Sequence, residues 1–201
     1  MKYSLEIIKT DVLVFDLDGT LLQTDRANNL AYYDAIEKVI KSPPPPPSIN
    51  RIKRITLKDL EKIALFSDLK LKEIKNLKDS SYFKYLEYTF LNHNLFDIVL
   101  QFYQKNQIIL LTNASRNRAK LLLEYHRIEK YFSHTFYNEY GNKFLNCIEF
   151  LQLNAKDMLV FENEKLQVEN ALCAGITKDR IIQIGDDFSN EIQIKSKRRI
   201  C

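Results

Sequence analysis

Two aspartates stand two positions apart in "FDLDGT", residues 15–20. A carboxylate such as Asp16 can attack a phosphoryl group and form an acyl phosphate. A second one nearby, Asp18, can protonate a leaving oxygen and later activate water. Acids this close repel each other, so a divalent cation or a shared proton is expected with them. Mg²⁺ suits the pair, because it accepts carboxylates, a backbone carbonyl and waters. Gly19 permits a sharp turn and brings backbone amides toward an anion. Thr20 can add a hydroxyl or start a turn. The same six residues also suit an ordinary acidic loop, since Asp-Gly is a frequent turn pair.

The elements around the pair argue for a positioned site. Val12 to Phe15 form a short apolar run, and residues 11–16 read as a fully buried strand that ends at the acids. "QIILLTN" (107–113) and "KDMLVFEN" (156–163) read as two more buried strands. Each ends in polar residues, Thr112 with Asn113 and Glu162 with Asn163. "RIIQIGDD" (180–187) reads as a fourth. Helical patterns follow the second and third, in "SRNRAKLLLEYH" and "EKLQVENALCAGI". Strands alternating with helices predict an α/β fold, a three-layer Rossmann-like parallel sheet core. In such sheets the site lies beyond the carboxyl ends of the strands, where strand order reverses.

The first helix, "RANNLAYYDAIEKVIKS", has apolar residues at helical spacing and must end at Pro43–Pro47, a stiff extended spacer. The stretch 56–93 reads as two or three short helices without a strand, opened by Thr56 as an N-cap. The pattern therefore predicts two units: residues 1–22 with 94–201 as the core, and residues 23–93 as an inserted all-helical domain.

Composition narrows the setting. The 201 residues are 45% hydrophobic and 28% charged, which suits a folded core. The net charge of +4 is mild, and "KSKRRIC" (195–201) reads as a solvated tail, so no nucleic-acid partner is expected. No apolar run is long enough to span a membrane, and the N-terminus does not read as a secretory signal. Cys147, Cys173 and Cys201 match no metal spacing and suit a reducing cytoplasm. His93, His126 and His134 form no cluster and read as surface or partly buried side chains. A monomer or homodimer is expected.

"VFDLDGTLL" resembles the first motif of the haloacid dehalogenase-like (HAD) superfamily, in its phosphatase and phosphomutase branch. "ILLTNAS" (109–115) is similar to the second motif, Lys143 stands where the third places a lysine before a helix, and "MLVFENEKLQVENALCAGI" (158–176) is similar to the fourth. The resemblance implies roles. Asp16 is the nucleophile and a Mg²⁺ ligand. Asp18 is the general acid/base, with its carbonyl on the metal. Thr112 binds the transferring phosphoryl group with support from Asn113, Gly19 and Thr20, and Lys143 neutralises its charge. Glu162 and Asn163 complete the metal site. Asn163 departs from the family, where many members have aspartate; Glu164, one further on, could compensate.

The inserted helices match the family's cap between motifs I and II, with hinges at 23–26 and 92–95, and with Arg26, Asn28 and Asn29 near the entrance. The expected activity is Mg²⁺-dependent hydrolysis of a small phosphorylated metabolite through an aspartyl phosphate. Alternatives are a sugar phosphomutase of the same family and a binding or regulatory protein that keeps the fold with weak or no turnover.

Overall fold

The computed structural model describes residues 2–40, 54–62, 67–185, 188 and 191–194. The proline run, the basic tail with Cys201, and Asp186 and Asp187 lie outside the described residues.

The chain opens with β1 (Lys2–Leu5) and β2 (Val12–Phe15), then β3 (Leu22–Gln23) and the helices α1 (Asp25–Ile40), α2 (Leu57–Glu61) and α3 (Asp68–Ser81). A 3-10 segment, Tyr82–Tyr88, leads to β4 (Phe90–Leu91). From there strands and helices alternate: α4 (His93–Phe102), β5 (Gln107–Thr112), α5 (Arg116–Tyr125), β6 (His134–Tyr137), α6 (Lys143–Leu151), β7 (Met158–Glu162), α7 (Lys165–Cys173), β8 (Ile181–Gln183) and β9 (Glu191–Ile194).

The main sheet has the order β6-β5-β2-β7-β8, and every pairing in it is parallel. The first of its strands in sequence, β2, lies at the centre, so strand order reverses there. A crevice opens at the carboxyl end of a strand so placed. Register then sets the neighbours. Phe15 pairs with Leu110 on one side and Phe161 on the other, which brings Asp16 level with Glu162.

Alternation along the strands builds a core on each face. Leu13 and Phe15 pack with Leu110, Leu122, Leu159 and Phe161. Val12 and Val14 pack with Ile109, Leu111, Phe144 and Val160. The rings of Phe15 and Phe161 stack at 4.5 Å. Each such buried side chain contributes about 1.5–3 kcal/mol, so the strand that carries Asp16 is held rigidly. A separate cluster of Tyr32, Ala35, Ile36, Leu60, Leu71 and Ile74 joins α1, α2 and α3.

The structure departs from the sequence pattern in two places. The stretch 56–93 does contain a strand: β4 pairs antiparallel with β3, Leu22 opposite Leu91 and Gln23 opposite Phe90. Two-residue strands have no periodicity to read. The pairing sets the outgoing and returning chains side by side at the foot of the helical segment. Three further strands were not expected. The edge strand β6, "HTFY", lacks an apolar run, and β1 pairs with β9 in a small parallel sheet of their own.

Candidate active site

Asp16 and Lys143 come together at the tip of β2. Lys143 opens α6, and Asn142 caps that helix by accepting from the amides of Phe144 and Leu145. The cap fixes where α6 starts and so where the lysine sits. Lys143 is 1% exposed, and its Nζ donates to Asp16 Oδ1 at 2.7 Å and to the Leu111 carbonyl at 3.3 Å. The same ammonium lies 2.7 Å from Glu162 Oε2, which is ion-paired but has no aligned hydrogen bond. The other oxygen of Glu162 accepts from the amides of Asn163 and Glu164, both at 3.0 Å.

One cation thus sits between two buried acids. Burial raises the pKa of Asp16, against the pull of Lys143. Burial, and then repulsion from Asp16, pushes Glu162 up to about 8, again against Lys143. The two carboxylates hold Lys143 above its usual value despite its burial, so it stays charged.

Asp18 is gripped elsewhere. Arg118 Nη1 and Nη2 donate to its two carboxylate oxygens at 3.0 and 2.6 Å. Thr24 Oγ1 donates to it at 2.5 Å, and Arg54 Nη2 lies 3.2 Å away. Against the cost of burial, these two guanidiniums and the hydroxyl hold Asp18 well below the usual carboxylate range. Asn28 and Asn29 do not line the site. They clamp the backbone of Ile55 at 2.8 Å on either side, and Arg54 is the next residue along.

A cavity of about 150 Å³ is lined by Asp16, Asp18, Thr112, Lys143, Glu164 and Arg118, with Asn113, Ala114, Arg54 and Gln167 on its wall. Thr112 is buried, and its Oγ1 accepts from the amide of Ala114 at 3.0 Å, which shapes the turn after β5. Asn113 Oδ1 accepts from Asn138 Nδ2 at 3.0 Å.

Several sequence-predicted residues lie apart from this cavity. Asn163 Oδ1 accepts from Thr20 Oγ1 at 3.0 Å, so the asparagine side chain lies under the loop. Gly19 makes room for it. Its φ is +77°, and an added Cβ would overlap the Asn163 amide. Gly19→Ala is expected to cost about 2 kcal/mol in denaturant unfolding. Adding Asn163→Ala should return the part due to overlap and leave the part due to φ. Arg26 is exposed, its guanidinium 4.6 Å from the Tyr88 ring. The buried face of α1 is set by Ala27, Asn28 and Ala31, so the neighbouring Arg26 projects away from the site. Glu162 sits behind Lys143, outside the cavity lining.

The sequence reading missed Arg54 and Arg118. A signal for Arg118 existed: it precedes Ala119 and stands four before Leu122, on the buried face of α5. A charged residue there needs a partner. Arg54 had none, because "RIKRITLK" (51–58) carries four basic residues and no local pattern singles one out.

As for a metal, no group of three or more His, Cys, Asp and Glu side chains converges among the described residues. Asp16 and Glu164 do share the cavity, and burial followed by the charge of Asp16 raises the pKa of Glu164. Two oxygen donors that repel each other beside a small cavity fit a hard cation. Mg²⁺ needs only one or two carboxylates and fills its other positions with waters and carbonyls.

Fold and site together define a class of α/β enzyme whose candidate site lies at the switch point of a parallel sheet. The chain belongs to the haloacid dehalogenase-like hydrolase family, whose model matches residues 10–186. No curated protein matches the sequence. Among solved structures, the fold is similar to a haloacid dehalogenase-like hydrolase from Streptococcus pneumoniae, with TM-score 0.71 and 16% identity over 94% of this chain and 96% of that one. It is similar to a structure described as a predicted phosphatase from Clostridium acetobutylicum, with TM-score 0.72 and 13% identity over 92% and 94%. It is also similar to CbbY from Rhodobacter sphaeroides in complex with phosphate, with TM-score 0.66 and 11% identity over 92% and 93%.

Proposed function

We propose that the protein is a Mg²⁺-dependent phosphatase that hydrolyses a small phosphorylated metabolite through an aspartyl phosphate on Asp16. One observation carries the reading: a fully buried lysine spans Asp16 and Glu162 while Asp16 faces a small polar cavity. A structural ion pair would not require the aspartate to open onto a cavity.

In the first step a carboxylate oxygen of Asp16 bonds to phosphorus as the bond to the leaving oxygen breaks. Lys143 and the Thr112 hydroxyl face the transferring group, and Lys143 offsets its charge. Asp18 gives its proton to the leaving oxygen, then takes one from the water that attacks phosphorus and frees Asp16. Held by Arg118 and Arg54, Asp18 is too acidic for that task, so it must loosen from them when substrate arrives. Asp16 and Glu164 would hold the Mg²⁺, with the Asp18 carbonyl that the family resemblance implies. When bound, the ion supplies charge neutralisation and orientation.

The segment with α1, α2 and α3 would serve as a cap. Its cluster of apolar side chains and its β3–β4 foot support a unit that moves over the cavity and excludes water. A reducing cytoplasm suits free Cys147 and Cys173. No helix among the described residues is long and apolar enough to cross a membrane.

The test is turnover of p-nitrophenyl phosphate before and after chelation. EDTA is expected to lower kcat/KM about a hundredfold or more, with recovery on adding Mg²⁺. Glu164→Gln should raise the Mg²⁺ concentration needed for half-maximal rate by about tenfold. An unchanged rate in EDTA would refute the metal dependence.

A further inference from the structure

The cavity at Asp16 adjoins a larger one of about 380 Å³. Asn113, Ala114 and Arg118 line both, so the two share a wall. Lys75, Lys78 and Arg116 also line the larger cavity, against the acids Asp79 and Glu139. Four cations therefore line it with two carboxylates, and a third carboxylate, Asp18, holds Arg118 from the smaller cavity.

Two of these cations are buried at some expense. Arg118 is 6% exposed and Lys78 is 8% exposed. Lys78 stands on the buried face of α3 with Leu71 and Ile74, a position an apolar residue would fill without desolvating a charge. Its acidic neighbour Asp79 lies 3.5 Å away. Its ammonium otherwise lies over the rings of Tyr32, at 4.8 Å, and Tyr82, at 5.9 Å. Burial, then repulsion from Arg118, pushes it down to about 8. The Arg116 guanidinium lies 5.0 Å from the ring of Tyr137, which also lines the cavity. Lys78 and Arg118 each keep one acid, so the excess positive charge comes with the exposed Lys75 and Arg116, and that excess attracts an anion.

We propose that the larger cavity binds a second anionic group, a carboxylate or a phosphate, on the leaving alcohol of the substrate. This rests on the phosphatase reading and narrows it: the substrate is a small phosphate monoester that carries two anions. Arg118 joins the two halves of the site, because it holds Asp18 and also lines the second cavity. An anion arriving there competes with Asp18 for the guanidinium.

A matched three-carbon series tests this: propyl phosphate, its analogue with a terminal carboxylate, and propanediol bisphosphate. Phosphate release should show kcat/KM at least about tenfold higher for one of the two doubly anionic esters, and which one identifies the second anion. Arg116→Gln, on an exposed residue that does not threaten the fold, should remove most of that advantage, as should Lys78→Met. Equal kcat/KM on all three esters would overturn the inference and leave the phosphatase reading standing. Release from none would refute the phosphatase reading. Calorimetric binding to the Asp16→Asn protein separates the two questions. The second anion should tighten binding at least about tenfold, and Arg116→Gln in that background should abolish the gain. Equal affinity for propyl phosphate and both doubly anionic esters would overturn the inference regardless of turnover.

Discussion

Lys143→Met is expected to cost about 3–5 kcal/mol of stability near pH 8, because it leaves two buried acids without their cation. Methionine matches the lysine stem in length, so lost packing is a small part of the effect. The pH dependence identifies the cause. Asp16 and Glu162 already have raised pKa values with the lysine present, and removing it raises them further. An acid with a raised folded pKa stabilises below its unfolded value and loses that stability as pH rises through the folded one. For Glu162 in the unmodified protein that window runs from its usual 4.5 to about 8. The variant should therefore recover stability on acidification from about pH 8 to about pH 5, and more steeply than the parent. Lys143 itself has a raised pKa, so its own contribution is complete below 10.5 and fades only above that. Denaturant unfolding at several pH values checks the prediction. A loss under about 1 kcal/mol, flat with pH, would mean the acids are solvated. Turnover should fall about a hundredfold, since the lysine faces the transferring charge.

Asp16→Asn is expected to do the opposite to the fold and more to the chemistry. The unmodified cluster has two acids for one cation, and repulsion from Asp16 helps keep Glu162 protonated at neutral pH, its pKa pushed up to about 8. Removing Asp16 lets Glu162 ionise against Lys143 as a neutral pair at 2.7 Å, and the asparagine oxygen can still accept from Nζ. Stability should hold or rise at neutral pH. The amide cannot form the acyl phosphate, so kcat should fall at least about a thousandfold. A variant that unfolds would point to a structural role for Asp16. Rates within about threefold of the parent would remove it as nucleophile.

Much of the core was legible because its signals are local. Val12 to Phe15, Ile108 to Leu111 and Met158 to Phe161 are apolar runs that end in polar residues, and all three strands lie side by side with those ends at the switch point. Lys143 could be placed by its order before an amphipathic helix. What stayed hidden depends on tertiary contacts. Asn163 and Glu164 are adjacent in sequence, yet Asn163 faces Thr20 while Glu164 lines the cavity, and no local pattern distinguishes them. Arg26 carries the right charge but is one step off the buried face of α1. Arg54 reaches Asp18 because Asn28 and Asn29 hold the backbone beside it, through contacts between residues 27 and 26 positions apart in sequence.

The most direct measurement is an acid quench of the protein during turnover with Mg²⁺ and ester, followed by peptide mass spectrometry. The predicted result is one phosphoryl group on the peptide that contains Asp16, absent from the Asp16→Asn protein and lost on treatment with hydroxylamine. Steady hydrolysis with no phosphorylated peptide, or with the phosphoryl group on another residue, would contradict it.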